Sequence, residues 1–155
     1  MQVFLIRHSD AVDAGPALPD PARFLSGRGR QAARAVGQRL RAESIRFDAV
    51  VASPLVRAVQ TAELVAAGLQ TPIPVAVAVN LAPAESDRDV IAMVQALAAD
   101  AVVVLVGHEP GLSGICAVLL AQPDFAALGK AEAVRISDGK LRWRFAWDAE
   151  APSQA

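Results

Sequence analysis

Both histidines of the 155-residue chain stand just beyond apolar runs. His8 follows Val3–Ile6 and Arg7 in VFLIRHSD, and His108 follows Ala101–Val106 in AVVVLVGHEPG. A third segment, ASPLVRA, places Arg57 just after the run 48–52. Taken singly, a histidine at a strand end is more often a surface residue, and an arginine at a helix start is usually solvated. Arg57 would even face the positive end of its helix dipole, an unfavourable placement. An anion between these groups reverses that sign. Two guanidiniums, a helix N-terminus and two imidazoles make a pocket for a phosphoryl group. No carboxylate pair or metal is needed to explain it.

Such a pocket requires several strands to end at one edge, and the patterning provides them. In open α/β sheets, ligands sit beyond the carboxyl ends of the strands. A strand is predicted over Val3–Ile6, followed by a loop broken by Gly15, Pro16, Pro19 and Pro21. Ser26 caps a helix running to about Glu43, with Ala32, Val36 and Leu40 on its inner face. A second strand covers Asp48–Ala52. Ser53-Pro54 then reads as an N-cap serine with proline at the first helical position, opening a helix striped by Leu55, Val59, Ala62 and Leu69. A weaker strand lies at Pro74–Val79. Ser86 and Asp89 resemble a capping box ahead of a helix with Val90, Val94 and Leu97 inward. Ala101–Val106 reads as a strand buried on both faces, and Glu109-Pro110 starts a helix that buries Leu112, Ile115, Cys116 and Leu119. Ala133–Ser137 and Leu141–Trp147, joined by Asp138-Gly139, read as a β-hairpin. The order predicts an α/β fold: a three-layer α/β/α sandwich with a mostly parallel central sheet and a C-terminal β-hairpin. A single domain is expected over residues 1–148, with 149–155 as a frayed tail.

Composition narrows the function classes. Apolar residues make up 54% of the chain and the formal net charge is −1, which excludes a disordered polyelectrolyte. No basic stripe with interleaved aromatics argues for nucleic acid. The N-terminal apolar run is too short for a signal segment and Arg7 interrupts it, while AVVVLVG is too short to span a bilayer. A soluble cytoplasmic protein without membrane contact is the expectation. Two histidines and one cysteine at unrelated spacings do not make a metal site, and no cofactor is implied. Cys116, on an apolar stripe, reads as a small core residue. Trp143 and Trp147 look exposed in the final strand and read as sheet packing.

The motifs R-H-S near the start, S-P-L-V-R-A-V-Q-T-A-E in the middle and G-H-E-P-G-L late resemble the histidine phosphatase (phosphoglycerate mutase-like) superfamily. LSGRGRQAA matches its first-helix pattern, so the resemblance covers nearly the whole chain. The short length and the VGHEPGLS segment are most similar to its SixA-type phosphohistidine phosphatases. Each motif alone is weak; their order and spacing together are specific. The resemblance implies that His8 is the nucleophile, that Arg7 and Arg57 clamp the non-bridging oxygens, and that His108 stabilises the transferring group. These roles agree with the physics, because a neutral imidazole is a competent nucleophile and phosphoryl transfer asks mainly for positioning and charge stabilisation.

Ser9 departs from the commoner glycine of the family. Ser53 reads as a helix cap, and Asp10 and Asp13 as solvated loop carboxylates. Relatives that hydrolyse alcohol phosphates use an acid after the third strand, where LAPAESDRD offers Glu85 and, less well, Asp87. SixA-type proteins manage without one, since imidazole leaves phosphorus more easily than an alkoxide. Three readings follow. One is a phosphatase for a phosphorylated protein, such as a phosphorelay protein. Another is a phosphomonoesterase for a small phosphate ester. A third, of another class, is a non-catalytic phosphate-binding regulatory module, which would need the arginines but not His8 and His108 together.

Overall fold

Strands β1 (Gln2–Arg7) and β4 (Val102–Gly107) lie side by side and parallel at the centre of the sheet, which explains their unbroken apolar runs. Phe4, Ile6, Val104 and Val106 enter one core cluster, while Val3, Leu5, Val103 and Leu105 enter the other. A strand buried on both faces has no polar side to alternate with. The computed structural model describes residues 1–83, 85, 87–149 and 153–154.

The remaining elements are α1 (Gly27–Ala42), β2 (Ala49–Ala52), α2 (Val56–Leu69), β3 (Val75–Val77), α3 (Asp87–Gln95), α4 (Gly111–Leu119), β5 (Ala133–Ser137), β6 (Lys140–Phe145) and β7 (Ser153–Gln154). The sheet order is β3-β2-β4-β1-β5-β6-β7. The first four of these are parallel, and β5, β6 and β7 add antiparallel at one edge. Ala32, Val36 and Leu40 of α1 and Ala58, Ala62 and Val65 of α2 cover one face. Val90 and Val94 of α3 and Leu112, Ile115 and Cys116 of α4 cover the other. The three-layer α/β/α sandwich with a mostly parallel sheet and a terminal hairpin is therefore the fold. Among the described residues, no helix is long and apolar enough to cross a membrane.

Local chemistry accounts for the boundaries. The Ser26 hydroxyl accepts a hydrogen bond from the Gly29 amide at 3.0 Å and starts α1. Asp138 and Gly139 have φ of 54° and 69°, the paired left-handed residues of a two-residue hairpin turn between β5 and β6.

Two expectations need correction. The second helix begins at Val56, with Leu55 as its N-cap and no side-chain cap, so Ser53-Pro54 is not the helix start. Trp143 packs on the sheet as expected but is not exposed: it is 6% exposed, in edge contact with Phe4, with its indole N–H donating to Glu43. Within the expected tail, Ser153 and Gln154 form β7 and pair with Arg144 and Trp143. The proposed cap Ser86 lies outside the described residues.

Candidate active site

Strand register brings the two histidines together. Arg7 pairs with Gly107 across β1 and β4, so His8 and His108, each one residue further on, leave the sheet as neighbours. The His8 amide donates to the Gly107 carbonyl at 3.0 Å, and the ring centroids stand 4.9 Å apart. On the far side of β4, Ala52 pairs with Val106, and the Ser53 amide donates to the Val106 carbonyl at 2.9 Å. Parallel pairing thus sets three consecutive strand ends along one edge.

His8 is buried, and its Nδ1 lies 2.8 Å from the Ser9 carbonyl. A carbonyl can only accept, so Nδ1 carries the proton and Nε2 carries the lone pair. Burial lowers the His8 pKa to about 4 against the pull of that hydrogen bond, helped by the positive charges of Arg57, Arg7 and Lys130. At neutral pH the ring is uncharged and nucleophilic at Nε2. The loop that supplies the Ser9 carbonyl is fixed in turn: the Ser9 amide donates to Thr61 Oγ1 at 3.0 Å, and that hydroxyl donates to the Arg57 carbonyl at 2.7 Å. Burial likewise lowers His108 to about 3, with His8 and Arg57 adding to the effect.

Arg57 stands in the first turn of α2, where the sequence places it, and is buried there. Its guanidinium donates to the Asp20 carbonyl at 2.8 Å and to Asp20 Oδ2 at 3.2 Å. Arg7 donates from Nη1 to the Leu128 carbonyl at 2.7 Å. Leu128 is itself held by Glu109, whose carboxylate accepts from the Leu128 amide at 2.9 Å and from the Ser113 hydroxyl at 2.6 Å. The Nε–H groups of Arg7 and Arg57 are buried and meet no acceptor among the described residues. Buried donors of this kind are costly unless an acceptor completes them. A phosphoryl group, with its oxygens all acceptors, has the matching chemistry.

The structure brings His8 and His108 together at one edge of the sheet, with Arg57 and Arg7 near enough for their charges to act on both rings. Glu85 is exposed and lines a cavity of about 320 Å³ beside His108, together with Asn80, Leu81, Leu112 and Ile115. Nothing is described of the Asp87 side chain. Asp10 departs from the expectation of a merely solvated carboxylate: it accepts from Ser26 Oγ at 2.7 Å and pairs with Lys130 at 2.6 Å. Those bonds lower its pKa, the Lys130 bond most. Asp13 is exposed. Ser9 is fully buried, and Cys116 is a core residue whose thiol is pushed up to about 12 by burial. Sequence reasoning missed Asp20 and Thr61, and it misread Ser53, whose hydroxyl lies 2.8 Å from His108 Nε2.

Comparison with known proteins bears on the family and the fold. The profile of the histidine phosphatase superfamily (branch 1) matches residues 3–82. The protein histidine phosphatase SixA, solved with tungstate, superposes with a TM-score of 0.87 at 27% identity over 95% of this chain and 97% of that one. An uncharacterized protein of Picosynechococcus sp. is 38% identical over 72% of this chain and 68% of its own length. The mitochondrial serine/threonine-protein phosphatase Pgam5 of Drosophila virilis is 43% identical over 41% of this chain, which spans only 21% of that relative. Strand ends, arginines and the overall superposition all lead to one assignment: the chain belongs to the histidine phosphatase superfamily.

Proposed function

We propose that this chain is a phosphatase working through a phosphohistidine on His8, with phosphohistidine on a protein as its substrate. The observation that carries the reading is the Ser9 carbonyl at His8 Nδ1, which leaves Nε2 with its lone pair beside a second histidine and two guanidiniums. An anion-binding module needs donors and has no use for a bare nucleophilic nitrogen.

In this reading His8 Nε2 attacks phosphorus, the bond from phosphorus to the leaving atom breaks, and Arg7, Arg57 and His108 hold the equatorial oxygens. Water then attacks the phosphorus of phospho-His8, releasing orthophosphate and returning the imidazole. Charge is neutralised by side chains throughout, and no metal has a role. The near full-length likeness to a protein histidine phosphatase supports the substrate class.

A second reading, hydrolysis of a small phosphate ester, is favoured by one observation: Glu85 lines the cavity that opens beside His108. An alkoxide leaving group needs a proton that a departing imidazole needs far less. The experiment compares wild type, His8→Ala and Glu85→Gln on a phosphohistidine-bearing protein and on alkyl phosphates. We expect His8→Ala to fold and lose all turnover, and Glu85→Gln to spare phosphohistidine hydrolysis while harming any alkyl-phosphate activity. A fully active His8→Ala protein would overturn the nucleophile. Strong wild-type activity on alkyl phosphates, destroyed in Glu85→Gln, would move the assignment to the small ester.

A further inference from the structure

We propose that Ser53 is a positioning residue for the reaction: its hydroxyl donates to Nε2 of His108 and holds that ring in the tautomer whose proton is on Nδ1. This rests on the phosphatase reading above, in which His108 offers an N–H to the transferring phosphoryl group.

The contact is 2.8 Å long, and Ser53 is fully buried while His108 is 6% exposed, so water does not compete for it. Its direction follows from the need of the buried O–H for an acceptor. The Leu55 amide, which can only donate, approaches Ser53 Oγ at 3.4 Å. That contact uses one lone pair, and among the described residues no carbonyl or carboxylate accepts from the hydroxyl, so the imidazole nitrogen is the one acceptor that the buried O–H meets. Capping is not an alternative use, because α2 starts at Val56 with Leu55 as N-cap.

The tautomer matters because the ring is uncharged, held so by its burial. A neutral imidazole carries one proton, and its neighbours decide which nitrogen has it. Phosphoryl oxygens accept only. With Nε2 bonded to Ser53, Nδ1 is the remaining polar atom of the ring, and a bare lone pair there would repel the developing charge. Both partners are also fixed at the backbone: Ser53 follows β2 and His108 follows β4, strands paired at Ala52 and Val106. The hydroxyl therefore acts on His108 from a rigid edge, as outer-shell groups orient ligating histidines elsewhere.

The chain has two histidines, so nitrogen NMR can assign both tautomers directly. Long-range proton–nitrogen spectra of the resting protein at pH 7 should show His108 protonated at Nδ1. In Ser53→Ala that preference should give way to a mixture or to Nε2–H. Turnover number on a phosphohistidine protein should fall about tenfold, the scale of one lost hydrogen bond in a transition state, with KM little changed. A wild-type proton on Nε2, an unchanged tautomer in Ser53→Ala, or unchanged turnover despite an altered tautomer would each overturn the proposal. If neither protein hydrolysed phosphohistidine, the phosphatase reading would fall separately, and the tautomer of the resting protein would still decide whether Ser53 sets it.

Discussion

Arg57 is held at two points by Asp20, through the carbonyl and through the carboxylate, and a buried guanidinium so gripped has one orientation to offer a ligand. The salt bridge itself contributes little to stability, because the Asp20 side chain is half exposed. Its effect is on geometry. Arg57→Ala should cost about 10²–10³ in turnover, the range seen when a preorganised donor to a developing charge is lost. Arg57→Lys should recover only part of it, since an ammonium is a point charge and cannot use Asp20 and a phosphoryl group at the same time through a planar fork. Steady-state rates of the three proteins on one substrate decide the matter. Full activity in Arg57→Lys would show that charge alone suffices at this position.

The helix α1 acts on the site without touching it. A methyl group on Gly29 would stand 1.9 Å from the Asp10 carbonyl oxygen, so only glycine lets the start of α1 press against the chain just after His8. The same carbonyl accepts from the Ser26 amide at 3.0 Å, which locks the helix cap to that segment. Gly29→Ala should therefore lower stability by about 1–3 kcal/mol, as overpacking does, and reduce turnover by displacing the Ser9 carbonyl from His8. Gly27→Ala is the control, because an added methyl there meets nothing within 4 Å. Thermal unfolding and turnover of both variants check the prediction, and equal behaviour of the two would refute it. Residues that end strands were legible in sequence for the reason that the strands themselves were: an apolar run buried on both faces is conspicuous where it stops at Arg7-His8 or at Gly107-His108. Ser53 was misread because its role depends on the pairing of β2 with β4, and register between distant strands leaves no local pattern. Asp20 was invisible for a similar reason, since its partner is 37 positions away in the chain. The helix start at Val56 escaped because a Ser-Pro pair satisfies a cap pattern, while its hydroxyl had a buried imidazole to bond instead.

Across the whole molecule, the two buried histidines tie folding to pH. Their pKa values fall from 6.5 to about 4 for His8 and to about 3 for His108 on folding, chiefly through burial. Below pH 6.5 the unfolded chain binds two protons that the folded one refuses, so protonation favours unfolding. The stabilisation is complete above the unfolded value, shrinks as pH falls through the window below it, and stops changing only once the folded rings titrate near 4 and 3. Asp10 and Asp20, whose pKa values are lowered mainly by hydrogen bonds from Lys130 and Arg23, extend the loss below the ordinary carboxylate range. Carboxylates of an unfolded chain titrate near pH 4, and the chain has only these two histidines, so most of the slope between pH 6.5 and 5 belongs to His8 and His108. Melting temperature should hold steady from pH 8 to 7 and then decline toward pH 5. His8→Asn combined with His108→Asn should flatten that decline, because neither asparagine binds a proton. A wild-type melting temperature that is level from pH 7 to 5 would mean the rings already share solvent's protons in the folded state, and the neutral nucleophile at His8 would lose its physical basis.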